Sequence, residues 1–190
     1  APQGHDDEPN PTREAAVPIA PAGAPGGLWG APAPEARFRG RRGDLADVTR
    51  RLREPGSGSV GVTATSPAVG VHGRGGLGKT ALALQLVWDE EFRRLFPDGV
   101  WWLTLGQDPS LHSLQRALLS AVGVSDLAAD LTVDQATRLL RSAFSDRQAL
   151  LVLDDVWDGN AVSTFDVMGP RGRLLVTTRR AANLALVDAT

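Results

Sequence analysis

Apolar runs alternate along the chain with segments whose apolar residues recur at helical spacing. Five runs predict strands, at residues 59–65, 68–72, 99–105, 149–155 and 172–178. The runs at 99–105 and 149–155 lack polar alternation, as expected for strands that are buried on both faces of a sheet.

Helical patterns lie between these runs. They cover residues 45–52, 79–92, 110–123 and 132–144. Ser110 and Gly123 stand where an N-cap and a helix stop are expected. Strands that alternate with helices predict an α/β fold, a three-layer sandwich in which helices cover both faces of a mostly parallel sheet of about five strands.

The first 36 residues differ from the rest of the chain. They hold eight of the thirteen prolines and show neither a helical nor a strand period. We therefore predict a disordered linker at 1–36, with a further domain attached before it, and a folded domain at 37–190.

Composition and charge narrow the possible functions. Acids and bases are well mixed, the formal net charge is −2, and no basic cluster favours a nucleic-acid or membrane partner. The chain has no cysteine, which excludes disulfides and thiolate metal sites and fits a cytoplasmic location. The three histidines are too far apart in sequence for metal-ligand spacing.

Residues 73–80, GRGGLGKT, match the phosphate-loop pattern G-x-x-x-x-G-K-[ST]. Glycines let the backbone approach an anion, and successive N–H groups then surround a phosphate. Lys79, the single lysine among twenty basic residues, would reach the β- and γ-phosphates as a compact ammonium. Thr80 would be a ligand of Mg²⁺. A chance match in a glycine-rich chain is the alternative, but the motif follows an apolar run and opens a helical pattern.

Two further strands end in polar residues. Asp154 and Asp155 close the run at 149–155, where a parallel strand would face the ligand crevice. Beside a phosphate loop, Asp154 is the expected Mg²⁺ anchor, on a strand next to the one entering the loop, and Asp155 is a candidate to orient or deprotonate water. A turn that ends the strand is the alternative for both. The run at 172–178 is followed by Arg179, which is either a γ-phosphate contact or a surface arginine.

Together, GRGGLGKT, LLVLDDVWD and GRLLVTTRR resemble the nucleotide-binding half of the NB-ARC domain. This family of STAND signal-transduction ATPases includes apoptotic protease-activating factors, plant disease-resistance proteins and bacterial sensors. FRGRRGDL (38–45) resembles the stretch that contacts adenine in that family. Arg39, Arg74 and Arg180 depart from the usual family pattern.

The resemblance implies a role for each matching residue. The phosphates would be held by Gly75, Gly76, Leu77, Gly78, Lys79 and Thr80. Phe38 and Arg41 would line the adenine side. Asp154 and Thr80 would hold Mg²⁺, while Lys79, Asp155 and Arg179 would be catalytic, with Asp155 acting on water and Arg179 sensing the γ-phosphate.

The family also implies a function for the longer protein. ADP would hold it closed, ATP would open it, and opening would drive homo-oligomerisation, with slow ATP hydrolysis as the reset. An effector or DNA-binding domain would precede this segment, and helical, winged-helix and sensor segments would follow. Without those segments, this piece is expected to bind nucleotide weakly. The alternatives are the ATPase module of a bacterial transcriptional regulator and an ADP-holding scaffold without significant hydrolysis.

Overall fold

The computed structural model of the chain describes residues 26–34, 41–53, 59–62 and 77–178, with the backbone alone at 59–62 and at Leu77. The helices within these residues are α1 (Arg42–Arg53), α2 (Leu77–Trp88), α3 (Glu90–Arg93), α4 (Leu111–Ala121), α5 (Val133–Phe144) and α6 (Gly159–Phe165). The strands are β1 (Leu28–Trp29), β2 (Ser59–Val62), β3 (Val100–Gly106), β4 (Leu150–Val156) and β5 (Arg173–Thr178).

The described strands form one five-stranded sheet in the order β1-β3-β4-β5-β2. Every neighbouring pair is parallel. All the strand carboxyl ends therefore meet at one edge of the sheet, where ligand sites of open α/β sheets lie. The predicted α/β fold with a parallel sheet is confirmed.

Helices cover both faces of this sheet. Trp101 and Trp102 are adjacent on β3, are each 1% exposed, and point into opposite cores because successive side chains of a strand alternate. The core around Trp101 includes buried residues of α4, α5 and α6. The core around Trp102 includes buried residues of α1, α2 and α3. The result is the predicted three-layer sandwich.

Most predicted elements begin and end within one or two residues of the prediction. The start of α5 was predictable because its cap is formed by residues that are close in sequence. The Thr132 hydroxyl accepts from the backbone N–H of Gln135, whose side-chain oxygen accepts from the N–H of Thr132. This reciprocal capping box satisfies two backbone donors at the start of α5. Ser110 occupies the N-cap position of α4, but its hydroxyl donates to Ser113 rather than accepting from the helix backbone. Gly123, at φ +93°, ends that helix as predicted.

The linker prediction is wrong for residues 26–34. Leu28 and Trp29 pair with β3 as an edge strand, and Leu28 is only 3% exposed. The indole Nε1 of Trp88 donates to the carbonyl of Pro32 at 2.8 Å, which ties the following residues to α2. A strand of two residues is too short to show a sequence period, and its pairing depends on the free edge of β3. The rest of the predicted linker, at 1–25 and 35–36, lies outside the described residues.

Two helix predictions need correction. The predicted helix at 79–92 is interrupted at Asp89, whose side chain accepts from the N–H groups of Glu91 and Phe92 and begins α3. This local cap competes with continuation of α2. Helix α6 was not predicted, because seven residues beginning with glycine and asparagine carry little helical signal, and packing of Val162 and Phe165 stabilises it.

The predicted strand at 68–72 lies outside the described residues, but its expected place beside β4 is wrong. β4 pairs with β3 along one edge and with β5 along the other. Both of its hydrogen-bonding edges are therefore occupied, and no further strand can adjoin it. In the part of the chain that the structure describes, no helix has the length and apolar character needed to cross a membrane.

Candidate functional site

The start of α2 meets the carboxyl end of β4. The Thr80 hydroxyl donates to Oδ1 of Asp154 at 2.7 Å, although 74 residues separate the two in sequence. The first turn of α2 also holds Lys79, so the ammonium-bearing residue and both predicted metal ligands belong to one corner of the molecule. The juxtaposition that the sequence predicts for Thr80 and Asp154 is thus present.

Asp154 is a buried carboxyl group. It is 4% exposed, and this burial raises its pKa above the ordinary aspartate value, since a carboxylate loses hydration there. Hydrogen bonds from Thr177 and Thr80 favour the ionised form and oppose part of that rise. The negative charge of Asp155 adds to the rise in pKa. A bound cation would relieve the cost of keeping this carboxylate ionised.

Thr177 is a second hydroxyl on the same carboxylate. It lies on β5, is 1% exposed, and donates to Oδ1 of Asp154 at 2.6 Å. Its oxygen accepts from the backbone N–H of Asp155 at 3.0 Å. The sequence predicts no role for Thr177, and the signal that points to it is its position near the end of an apolar run before Arg179.

Asp155 has an unusual backbone. Its φ is +55°, in the left-handed region that residues other than glycine seldom adopt, although aspartate tolerates it better than most. The pairing of β4 with β5 shifts register here, between Leu153 and Val156. The Asp155 side chain is partly exposed, at the same end of β4 as Asp154.

Arg41 lies against the first turn of α2. Its Nη1 donates to the carbonyl of Gly78 at 3.0 Å, and a Cβ at Gly78 would stand 2.7 Å from the guanidinium nitrogens. The guanidinium therefore contacts the last glycine of the predicted phosphate loop. The expected adenine contact of Arg41 stays a prediction.

Several predicted site residues have no structural account. Phe38, Gly75, Gly76 and Arg179 lie outside the described residues, and Leu77 is described only as the first backbone residue of α2. The structure therefore brings together Arg41, Gly78, Lys79, Thr80, Asp154 and Asp155, and leaves the remaining members of the site as predictions.

The oxygen atoms of Thr80 and Asp154 fit a magnesium ion. Mg²⁺ prefers hard oxygen ligands and is usually held by one or two carboxylates together with substrate phosphates. A Thr80 hydroxyl that donates its proton to Asp154 keeps its lone pairs available as a ligand. Among the described residues, no group of three or more His, Cys, Asp or Glu is arranged to hold a metal on its own. The arrangement suits a metal shared with a phosphate ligand.

One described cavity lies away from this corner of the molecule. Its volume is about 650 Å³, and Leu45, Leu86 and Phe92 are among the residues of α1, α2 and α3 that line it. Lys79, Thr80 and Asp154 are not among its lining residues. Phosphate sites built from a loop and a helix start need no deep apolar cavity, so a site at Lys79, Thr80 and Asp154 does not require this one.

Known proteins are similar to the chain in sequence. Residues 45–186 match the family model of the NB-ARC domain. The chain is 37% identical to apoptotic protease-activating factor 1 of Danio rerio over 131 residues, which cover 64% of the chain and 10% of that protein. It is 31% identical to regulatory protein AfsR of Streptomyces griseus over 165 residues, 83% of the chain and 16% of that protein. It is 30% identical to disease resistance RPP13-like protein 4 of Arabidopsis thaliana over 123 residues, 62% of the chain and 14% of that protein.

These relatives are much longer than the part they share with the chain, which spans from 10% to 16% of their lengths. The family match, in contrast, covers well over half of the chain and includes α2, β4 and β5, the elements that build the candidate site. The chain belongs to the NB-ARC domain family.

Proposed function

We propose that this chain binds ADP or ATP with Mg²⁺ at the corner formed by Lys79, Thr80 and Asp154, and serves as the nucleotide-dependent switch of a longer signalling protein. The observation that carries the proposal is the 2.7 Å contact between Thr80 and Asp154. A hydroxyl at the start of a helix and a carboxylate at the end of a parallel strand are the Mg²⁺ ligands of phosphate-loop proteins.

The chain's own groups would divide the work of binding. Backbone N–H groups of 75–78 would donate hydrogen bonds to the phosphate oxygens, and the positive end of the α2 dipole would attract their negative charge. The Lys79 ammonium would contact the β- and γ-phosphates as a point charge. Thr80 and Asp154 would hold Mg²⁺, which neutralises charge on the phosphates when it is bound. The nucleotide's adenine would lie on the side of Phe38 and Arg41.

Hydrolysis would be slow and would use Asp155. In this proposal the Asp155 carboxylate accepts a proton from water as the water oxygen bonds to the γ-phosphorus. The bond from that phosphorus to the bridging oxygen breaks, leaving ADP and phosphate. Arg179 would contact the γ-phosphate and report its presence. These roles rest on the sequence resemblance and on the position of Asp155 beside Asp154.

A switch requires that the γ-phosphate bind one conformation of the longer protein better than another. In our proposal ADP favours a closed form and ATP an open, homo-oligomeric form. The relatives support a signalling role, since one is named as a protease-activating factor and another as a disease-resistance protein. Domains that sense a signal or act on it would lie in other parts of the longer protein.

A second candidate function is the ATPase module of a transcriptional regulator. The observation in its favour is that the match to regulatory protein AfsR covers 83% of the chain, more than the other two relatives described above. The gene sequence upstream of Ala1 separates the candidates. A helix-turn-helix domain there would favour the regulator, and a protease-like or death-fold-like domain would favour the defence or signalling switch.

The direct test is titration calorimetry of the chain with ADP and ATP in the presence of Mg²⁺. We expect binding that Lys79→Ala weakens by about tenfold or more, because a charge-assisted hydrogen bond to phosphate is lost. Arg50→Ala, on the exposed face of α1, is the matched loss of a positive charge and should leave the affinity unchanged. No detectable binding at millimolar nucleotide, or equal losses from the two variants, would refute the proposal. ATP turnover that is unchanged by Asp155→Ala would favour the ADP-holding scaffold.

A further inference from the structure

One buried hydroxyl joins the two acids of β4 to the neighbouring strand. Thr177 Oγ1 donates to Asp154 Oδ1 at 2.6 Å and accepts from the Asp155 N–H at 3.0 Å. We propose that Thr177 is a positioning residue that holds the Asp154 carboxylate toward the metal and the Asp155 backbone in its left-handed conformation. The role of Thr177 toward the metal rests on the proposed function, whereas its positioning of Asp155 rests on the hydrogen bonds described above.

The direction of both hydrogen bonds follows from the chemistry of a hydroxyl, which has one proton and two lone pairs. The backbone N–H of Asp155 can only donate, so the Thr177 oxygen accepts from it. The single hydroxyl proton is then directed to Asp154, which accepts it together with the proton of Thr80. Two donors on Oδ1 restrict rotation of the carboxyl group, so its orientation is set before any ligand arrives.

The backbone around Thr177 explains why a side chain is needed there. Leu153 pairs with Val176 and Val156 pairs with Thr178, so two residues of β4 stand opposite Thr177 alone. Such a β-bulge interrupts the backbone ladder and redirects the side chains at its centre. At this bulge the Thr177 hydroxyl accepts a hydrogen bond from the Asp155 N–H. It therefore stabilises the positive φ of Asp155, which is otherwise unfavourable.

The test compares Thr177→Val, which removes the hydroxyl and keeps the shape, with Thr177→Ser, which keeps the hydroxyl. Thr178→Val is the matched control, since Thr178 is equally buried and its hydroxyl donates instead to the carbonyl of Val156 at 2.7 Å. The first measurement is hydrogen exchange of the Asp155 amide by NMR in the nucleotide-free chain. The second is the half-restoring Mg²⁺ concentration, at which the chain regains half of the ADP affinity that it loses in EDTA.

We expect Thr177→Val to accelerate exchange of the Asp155 amide by about tenfold, because one net hydrogen bond is lost. We also expect the half-restoring Mg²⁺ concentration to rise by about tenfold or more, because a hydrogen bond to a charged group is lost. Nucleotide affinity in EDTA should stay as in the wild type. Thr177→Ser should restore both values, and Thr178→Val should change neither.

Two kinds of outcome would overturn the proposal, and a third separates it from the proposed function. Exchange of the wild-type Asp155 amide at the rate of an unprotected amide overturns it without any variant, which covers the case in which Thr177→Val does not fold. Equal effects of Thr177→Val and Thr178→Val, or no rescue by Thr177→Ser, would reduce Thr177 to a packing residue. If the wild type binds no nucleotide while the exchange results hold, the proposed function fails and the positioning of Asp155 stands.

Discussion

The hydroxyl of Thr80 and the carboxylate of Asp154 are in hydrogen-bonding contact at 2.7 Å, across 74 residues of sequence. The contact joins the first turn of α2 to the carboxyl end of β4. It exists because α2 packs on one face of the sheet and its start lies over the edge where the parallel strands end. Two consequences of this contact can be measured.

Removal of the Asp154 charge should abolish the dependence of nucleotide binding on Mg²⁺. Asp154→Asn keeps an oxygen that accepts from Thr80 and Thr177 but lacks the negative charge that a hard cation requires. Affinity for ADP in EDTA should be nearly unchanged, while the gain on adding Mg²⁺ should be lost. Asp158→Asn is the control, because Asp158 caps α6 and asparagine caps equally well. An Asp154→Asn chain that still responds to Mg²⁺ would contradict the metal assignment.

The raised pKa of Asp154 predicts a specific dependence of stability on pH in the metal-free chain. Burial makes the folded state hold this proton more tightly than the unfolded state does. Between the ordinary aspartate pKa and the raised value, the folded state therefore binds more protons, and stability falls as pH rises through that window. Urea unfolding at a series of pH values should show this fall in the wild type and a smaller one in Asp154→Asn. Identical pH profiles for the two would show that Asp154 does not contribute.

The contact between Arg41 and Gly78 predicts that the two positions are energetically coupled. In the wild type, Gly78→Ala places a Cβ 2.7 Å from the guanidinium and forces Arg41 away from the Gly78 carbonyl, so the loss of a hydrogen bond worth about 1 kcal/mol offsets the helix preference of alanine. In an Arg41→Ala background the same change should be neutral or stabilising, since alanine is favoured over glycine in a helix by about 1 kcal/mol. A double-mutant cycle of unfolding free energies measures the difference. Additive effects would mean that Arg41 does not rest on Gly78 in solution.

The two helix starts at Thr132 and Ser110 predict unequal costs for the same kind of substitution. Thr132→Ala removes a hydroxyl that accepts from the Gln135 N–H, and should destabilise the chain by about 1 kcal/mol. Ser110→Ala removes a hydroxyl that contacts only the Ser113 side chain among the described groups, and should cost less. Thermal unfolding of both variants under the same conditions gives the comparison. A larger loss of stability in Ser110→Ala than in Thr132→Ala would contradict the assignment of Thr132 as the stronger cap.

Local sequence was sufficient for the elements and for part of the site. The apolar runs that became β3, β4 and β5 are continuous because both faces of those strands are buried. The capping box at the start of α5 and Gly123 at the end of α4 involve only residues that are close together in sequence. Lys79 and Thr80 were recognisable from their motif because phosphate binding by a loop and a helix start is itself a local arrangement.

Strand order could not be obtained in that way. The sequence predicted β4 beside the strand that enters the phosphate loop, whereas β5 lies next to β4 and brings Thr177 to Asp154. The pairing of Leu28 and Trp29 with β3 could not be predicted from the local sequence either, because the edge of β3 is formed by residues far along the chain.

By itself, the sequence determined which segments become strands and helices and which residues carry the chemistry of a phosphate site, since periodicity, capping and the glycine-lysine motif are properties of neighbouring residues. Only the tertiary structure decided that Thr80, Asp154 and Thr177 share one buried carboxylate. Hydrogen bonds between them require side chains from three separate elements to converge at one edge of the sheet, and that convergence is set by how the strands order and the helices pack.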